Sequence, residues 1–177
     1  MSTQIKFGAI SNLSDARYAA AAGCEWIGFC LDDTNQNYIN PISIKEILGW
    51  VSGIKSVAEI GSLTPDDIFD TLNILKINTV QCNAEVNNSW KEAGFQTIAI
   101  GLSSLSSDWH MISLSDTAKE LNMDSCIVDI STLEIDTVKH LLDLGFTNFN
   151  INGQHEAIVG MRDFSDIEAI MELLNHA

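Results

Sequence analysis

The sequence predicts a single α/β domain in which strands and helices alternate along the chain. Short β-branched and apolar runs recur about every 20 to 30 residues, and an amphipathic segment with helix-start residues follows each run. This alternation is typical of parallel strands joined by right-handed helical crossovers. A chain of 177 residues is long enough to bury one core, so residues 1–177 are interpreted as one domain.

The predicted elements form a TIM-barrel-like (β/α) barrel that is incomplete, with about seven βα units. Strands are predicted near residues 4–10, 25–31, 54–60, 77–82, 95–101, 125–130 and 146–151. Helices are predicted near residues 14–22, 42–51, 65–74, 86–93, 114–122, 133–144 and 164–175. A complete barrel has eight units and typically about 250 residues. An open doubly wound sheet would also fit, but no glycine-rich phosphate loop follows any strand.

Residues at the predicted helix ends support this interpretation. Thr64 and Pro65 are a typical N-cap and first helical residue, and Ser131 with Glu134 has capping-box spacing. Gly23 and Gly145 stand where helices are expected to stop.

Composition restricts partners and location. The formal net charge of −15 would repel nucleic acid and anionic membranes, so neither is an expected partner. The chain shows no apolar run of transmembrane length and no signal-peptide pattern, and we therefore expect a cytoplasmic protein. Its four cysteines lack C-x-x-C spacing and are expected to be reduced. The histidines lack metal-ligand spacing, and neither a metal nor another cofactor is predicted.

Four stretches resemble one family, the phosphoribosylanthranilate isomerases of tryptophan biosynthesis. They are residues 5–16, 28–39, 80–83 and 160–163. The resemblance implies a (β/α)₈ barrel and, if the chain is active, an intramolecular aldose–ketose isomerase that performs an Amadori rearrangement. Such a reaction uses an acid on the ring oxygen and a base for the C2 proton, each worth about 10²–10⁴-fold. It also implies that this chain lacks one βα unit after Asp129.

The resemblance places the general acid at Asp129 and the base at residue 8. Asp129 ends an apolar run, as the family's acid ends the sixth strand, but a solvated acid or a cap for helix 133–144 remains an alternative. Residue 8 is glycine, which has no side chain to accept a proton. Cys30 and Cys82 are possible substitutes, although a buried structural cysteine is the simpler interpretation of each.

Candidate ligand-binding residues also depart from the family pattern. Asn37 replaces an arginine and Asn83 a histidine, whereas Gln81 is kept. Lys6 is kept as well, pointing either into the barrel toward an acid such as Asp129 or out of its lower end.

The predicted phosphate site follows the last strand. There Asn152 and Gly153 can present backbone N–H groups to an anion, and His155 either assists or is merely exposed. The second loop of the family's phosphate site belongs to the unit expected to be missing.

Three functions are compatible with the sequence, which leaves open whether the chain is an enzyme. The favoured one is a barrel that has lost the isomerase reaction and binds a small ligand, phosphorylated or not. The alternatives are an active isomerase with a displaced base, and a protein-interaction module. In the last, an incomplete barrel would cover its strand edges by pairing, for example as a homodimer.

Overall fold

Eight parallel strands form a closed barrel in which each strand pairs with its neighbours in chain order and β8 pairs with β1. The structure is a computed structural model and describes residues 3–103, 106–117, 121–154 and 163–177. The strands are β1 (Gln4–Gly8), β2 (Trp26–Cys30), β3 (Lys55–Gly61), β4 (Thr79–Asn83), β5 (Gln96–Ile100), β6 (Trp109–Ile112), β7 (Cys126–Asp129) and β8 (Asn148–Asn152). The prediction of a TIM-barrel-like α/β fold is confirmed.

The prediction of about seven units and an incomplete barrel is wrong. The strand β6, whose only β-branched residue is Ile112, is not among the predicted strands. Asp129 consequently ends the seventh strand, and α5 and β8 follow it without a missing unit. In the described part of the predicted helix 114–122 there is only a 3₁₀ turn at Leu114–Asp116.

The α-helices of the described residues are α1 (Leu13–Ala21), α2 (Pro41–Leu48), α3 (Pro65–Leu75), α4 (Asn87–Glu92), α5 (Ile135–Asp143) and α6 (Ser165–Asn175). Where the connections between β5 and β7 are described, they contain 3₁₀ turns but no α-helix. The chain is therefore shorter than a typical barrel because its outer helical layer is reduced there, while the sheet is complete. Among the described residues, no helix is both long enough and apolar enough to cross a membrane.

Closure of the sheet removes one argument for self-association. Every strand of the described residues is paired on both sides, so the described sheet leaves no strand edge to recruit a second copy. The expectation of pairing through free strand edges is therefore wrong. A homodimer formed through another surface stays a prediction.

Helix ends follow the sequence signals in most places. Thr64 and Asp67 form a capping box at the start of α3, and Gly23 and Gly145 adopt positive φ angles of 77° and 96° just after α1 and α5. Ser131 is an exception, because α5 begins at Ile135 and Ser131 instead contacts the end of β7.

The interior of the barrel is divided into an apolar and a polar part. An apolar cluster of strand residues comprises Trp26, Val57, Ile98, Met111 and Ile127. The opposite faces of the strands pack in a larger cluster with the surrounding helices. Buried polar side chains, Lys6 and Asn150 among them, occupy β1 and β8. This polar group leads to the carboxyl ends of the strands, where sites of such barrels lie.

Candidate active site at the barrel mouth

Lys6 lies inside the barrel and is 1% exposed. Its ammonium group forms an ion pair with Glu59 of β3, whose side chain is 14% exposed, and donates a hydrogen bond to Asn150 Oδ1 at 3.1 Å. The side chain therefore points inward, one of the two predicted orientations. Its carboxylate partner is Glu59 rather than Asp129, and Glu59 is not among the predicted site residues.

The Glu59 carboxylate is also held by the backbone. The N–H of Ala9 donates to Oε1 at 3.2 Å and to Oε2 at 3.1 Å. Ala9 has a φ angle of 51°, in the left-handed region that alanine rarely adopts. Glu59 is thus fixed between an ammonium group and an amide at the end of β1.

Asn150 connects this ion pair to Asp129. Its amide nitrogen donates to Asp129 Oδ1 at 3.1 Å and to Asn152 Oδ1 at 3.1 Å. Asp129 Oδ1 also accepts from the Ser131 hydroxyl at 2.5 Å and the Ser131 N–H at 3.1 Å. The carboxylate therefore holds the turn after β7, and the role of Asp129 as a general acid stays a prediction.

Gly8 faces the ion pair directly. A β-carbon at residue 8 would lie 2.7 Å from Glu59 Oε1, Lys6 Nζ and Asn152 Oδ1. Gly28 on β2 is similar, because a β-carbon there would collide with the Glu59 carboxylate. Two neighbouring strands thus carry glycine where the Lys6–Glu59 pair needs space. Inward-facing glycines beside an inward lysine were the signal that could have pointed to a buried acid.

A cavity of about 290 Å³ opens at the ends of β2 to β5. Its lining residues are Cys30, Asp32, Asn35, Asn37, Glu59, Ile60, Gly61, Gln81, Asn83 and Ile100. The structure thus brings together three predicted ligand-binding residues, Asn37, Gln81 and Asn83, beside Glu59. Asp129, Asn152 and Gly153 are not among the lining residues.

The polar side chains of the cavity differ in how far they are already satisfied. The side-chain oxygen of Gln81 is buried and has no hydrogen-bond partner among the described residues. Asn83 Nδ2 donates to the Ser62 hydroxyl at 2.8 Å, and the Asn37 N–H donates to Asn35 Oδ1 at 2.9 Å. Gln81 is therefore a lining residue whose side-chain acceptor the described residues leave unsatisfied.

The thiols near the mouth are poor proton acceptors. Burial raises the pKa of Cys30, and the charges of Glu59 and Asp32 raise it further, against the effect of a weak hydrogen bond to the Asp32 carbonyl. Burial raises the pKa of Cys82 to about 11. Both side chains are buried, and at neutral pH both are protonated thiols.

The backbone N–H groups of the turn after β8 already donate hydrogen bonds to other groups of the chain. The Asn152 N–H donates to the Ser131 hydroxyl at 3.0 Å, and the Gly153 N–H to the Gly8 carbonyl at 2.7 Å. The next N–H, of Gln154, donates at 3.0 Å to the carboxylate of Asp15, which is fully buried. Backbone groups predicted to bind an anion are therefore engaged within the chain. His155 and residues 160–162 lie outside the described residues.

Comparisons with known proteins find solved structures of similar fold but no match by sequence. No protein-family model and no curated protein sequence matches the chain. The phosphoribosyl anthranilate isomerase of Thermus thermophilus is similar in structure, with a TM-score of 0.76 and 14% identity over 97% of this chain and 98% of that one. Monomers generated from the dimeric enzyme of Thermotoga maritima give a TM-score of 0.76 and 17% identity over 99% of this chain and 100% of that one.

A third solved structure is a phosphoribosyl anthranilate isomerase in complex with reduced 1-(o-carboxyphenylamino)-1-deoxyribulose 5-phosphate. It gives a TM-score of 0.71 and 16% identity, and covers 99% of this chain and 100% of that one. Identities this low describe architecture and not activity. The chain therefore has the eight-stranded barrel fold of the phosphoribosylanthranilate isomerases.

Proposed function

We propose that this chain is a divergent barrel of the phosphoribosylanthranilate isomerase type that lacks the family's Amadori isomerase activity and binds a small polar ligand at its mouth. The observation that carries the proposal is the position of the Lys6–Glu59 ion pair. It fills the space in front of Gly8 into which a catalytic side chain on β1 would project.

The acid of the reaction is also displaced. By the resemblance, the family's acid ends the sixth strand, but here β6 ends at Ile112 and is followed by Ser113. Asp129 ends β7 instead, and one of its oxygens already accepts bonds from Ser131 and Asn150. Neither partner of an acid–base pair thus stands where the family reaction requires it.

A phosphate group is disfavoured at the turn after β8. Its N–H groups are engaged, and the buried Asp15 carboxylate beside them would repel an anion. A net charge of −15 adds an unfavourable long-range field.

Complementation of a bacterial strain that lacks phosphoribosylanthranilate isomerase tests the loss of activity. We expect no growth without tryptophan, with an active isomerase as the positive control. The Gly8→Cys variant should not restore growth either, because its side chain displaces the buried ion pair and costs about 1–3 kcal/mol of stability. Growth supported by the wild-type chain would refute the proposal.

A second candidate is an active isomerase that uses Glu59 as its base. It is favoured by one observation, that the Glu59 carboxylate occupies the place of a side chain at residue 8 and also lines the cavity. In that case the wild-type protein would convert substrate, and Glu59→Gln would reduce kcat by about 10²–10⁴-fold. Asp136→Asn, on the exposed face of α5, is the matched control and should leave the rate unchanged.

A further inference from the structure

We infer that the cavity at the ends of β2 to β5 binds an uncharged or positively charged, hydroxyl-rich molecule of monosaccharide size and discriminates against phosphorylated ones. The inference deepens the proposed function and rests on its claim that the mouth is a ligand site. It goes beyond that claim by naming the ligand's chemical class from the charges and hydrogen-bonding groups of the lining.

Size and polar chemistry favour a small sugar-like ligand. The cavity of about 290 Å³ lies at the lower end of ligand pockets, which range from about 300 to 1,000 Å³. Four carboxamide side chains line it, those of Asn35, Asn37, Gln81 and Asn83. A carboxamide both donates and accepts hydrogen bonds, as a hydroxyl group does, so several of them together suit a molecule with many hydroxyls.

The carbonyl oxygen of Gln81 gives the most specific requirement. It is buried without a partner among the described residues, and an unsatisfied buried acceptor costs free energy. A hydroxyl or ammonium donor on the ligand would satisfy it. A phosphate dianion, which only accepts hydrogen bonds, would not, although the hydroxyl groups of a phosphorylated sugar would, so the discrimination against phosphorylated sugars rests on the charges.

The charges around the cavity act against an anion. Asp32 is half-buried in the lining, its Oδ1 accepts from the N–H and hydroxyl of Thr34, and none of the described residues forms an ion pair with it. None of the described residues that line the cavity is a lysine, arginine or histidine. The buried ammonium of Lys6 is neutralised by Glu59. Among the described residues, a ligand in the cavity thus meets the uncompensated carboxylate of Asp32 and no cation that balances it.

Three sugars with the same ring test the inference: glucose, glucosamine and glucose 6-phosphate. Isothermal titration of the wild-type protein at pH 6.5 and constant ionic strength measures the three affinities. We expect glucosamine to bind at least as tightly as glucose, and glucose 6-phosphate to bind at least about fivefold more weakly than glucosamine. Equal or tighter binding of glucose 6-phosphate would overturn the inference, and so would the absence of binding by all three sugars.

Two variants test whether the sugar affinities are determined by residues of the cavity. Asp32→Asn should reduce the preference for glucosamine over glucose 6-phosphate by about two- to fivefold, because it removes the uncompensated charge. Gln81→Leu should weaken glucose and glucosamine alike by about three- to tenfold, because it removes the buried acceptor. Asp136→Asn is the control and should change none of the affinities. If Asp32→Asn leaves the preference intact, the charge argument is wrong.

The sugar titration and the complementation assay test separate claims, and either claim can be refuted without the other. Growth in the isomerase assay would refute the loss of activity, whatever order the sugar affinities take. A reversed order of affinities would refute the ligand class while the chain remained without isomerase activity.

Discussion

A buried ion pair dominates the barrel mouth at the scale of single residues. Taking a lysine and a glutamate out of water costs several kcal/mol per ion, and the cost is offset only when both groups are paired and hydrogen-bonded. Lys6 meets this requirement through Glu59 and Asn150, and Glu59 through Lys6 and the Ala9 N–H. The pair holds the ends of β1 and β3 together, and glycine at residues 8 and 28 leaves the space that it needs.

Removing one partner of the pair should be strongly destabilising. In Lys6→Met the Glu59 carboxylate, 14% exposed, loses its cation, and we expect a loss of about 2–3 kcal/mol in the free energy of unfolding. The double variant Lys6→Met/Glu59→Gln should recover part of this loss because no uncompensated charge remains. Urea unfolding measures both values.

Lys139→Met is the matched control for Lys6→Met. Lys139 is 53% exposed and pairs with Asp136, which is 88% exposed, so its substitution should change stability by less than about 0.5 kcal/mol. Equal effects of the two lysine substitutions would show that the buried pair does not stabilise the mouth.

The residue scale also shows what a sequence reveals about a site. The absence of a base at Gly8 is visible in the sequence, because it depends on the identity of one residue. The position of Glu59 beside Gly8 is not visible in the sequence. Glu59 lies 53 residues from Lys6, and the two side chains meet only because of the register of β1, β2 and β3. Asp129 is likewise recognisable as an acid at the end of a strand. That this strand is the seventh is not recognisable, because the sequence gives no clear signal for β6.

At the scale of elements, the described part of the connection between β5 and β6 contains no helix, and side-chain contacts fix the two strands to each other. The Ser107 hydroxyl accepts from the Ala99 N–H at 3.0 Å, and Asp108 Oδ2 accepts from the Thr97 N–H at 2.9 Å. Asp108 also pairs with Lys91 of α4 at 2.7 Å. Side chains that precede β6 thus satisfy amides of β5, and they fix the short strand beside it.

Asp108 should contribute stability that depends on pH. Burial alone would raise its pKa, but the hydrogen bonds from Lys91 and the Thr97 N–H outweigh burial and lower it. A carboxyl whose pKa is lower in the folded state stabilises the fold above its unfolded pKa, near 3.9, and loses this effect as the pH falls through the folded value. Asp108→Ala should therefore cost about 1 kcal/mol at pH 7, a figure already reduced for solvent screening, and progressively less below pH 4.

Urea unfolding of wild type and Asp108→Ala at several pH values between about 3 and 7 measures this difference. Asp136→Ala is the control, since that carboxylate is 88% exposed, and its effect should be small at every pH. A cost for Asp108→Ala that does not change with pH would mean that the lost contacts do not involve the ionised carboxylate.

Elements with strong local signals were predictable, and those that depend on neighbours were not. Thr64 and the glycines after α1 and α5 mark helix ends through local backbone chemistry. The strand β6, Trp109–Ile112, contains a single β-branched residue, whereas the equally short and correctly predicted β7 contains two, so β6 is defined by its pairing with β5 and β7 rather than by its composition. Similarly, α3 ends at Leu75, and the residue after it, Lys76, has a φ angle of 58°, a position where glycine would have given a signal.

At the scale of the whole molecule, closure of eight strands is achieved with 177 residues because two connections are reduced. The alternation of strands and helices was sufficient to predict the barrel, since it reflects the repeating unit of the fold. The number of units was not predictable in the same way, because the described parts of the two connections between β5 and β7 contain no α-helix by which a unit would be recognised.

The whole-molecule charge leads to the last prediction. The chain has 24 acidic and nine basic residues, so most acidic side chains have no basic partner and the folded state bears a net charge of −15. Self-repulsion of this kind destabilises the compact state and is screened by salt. We therefore expect the melting temperature to rise by roughly 2–4 °C, about 1 kcal/mol, when NaCl is raised from about 0.01 M to about 1 M.

The ion pairs of the structure are expected to change this salt dependence of the melting temperature very little. The exposed pairs Lys55–Glu25, Lys91–Asp108 and Lys139–Asp136 are weakened by salt, but each contributes at most about 1 kcal/mol, so repulsion among the excess acids should dominate. The buried Lys6–Glu59 pair is shielded from ions, so Lys6→Met should show nearly the same rise as wild type. A melting temperature that falls with NaCl would mean that the few exposed ion pairs, and not the excess of negative charge, determine the electrostatic stability of the barrel.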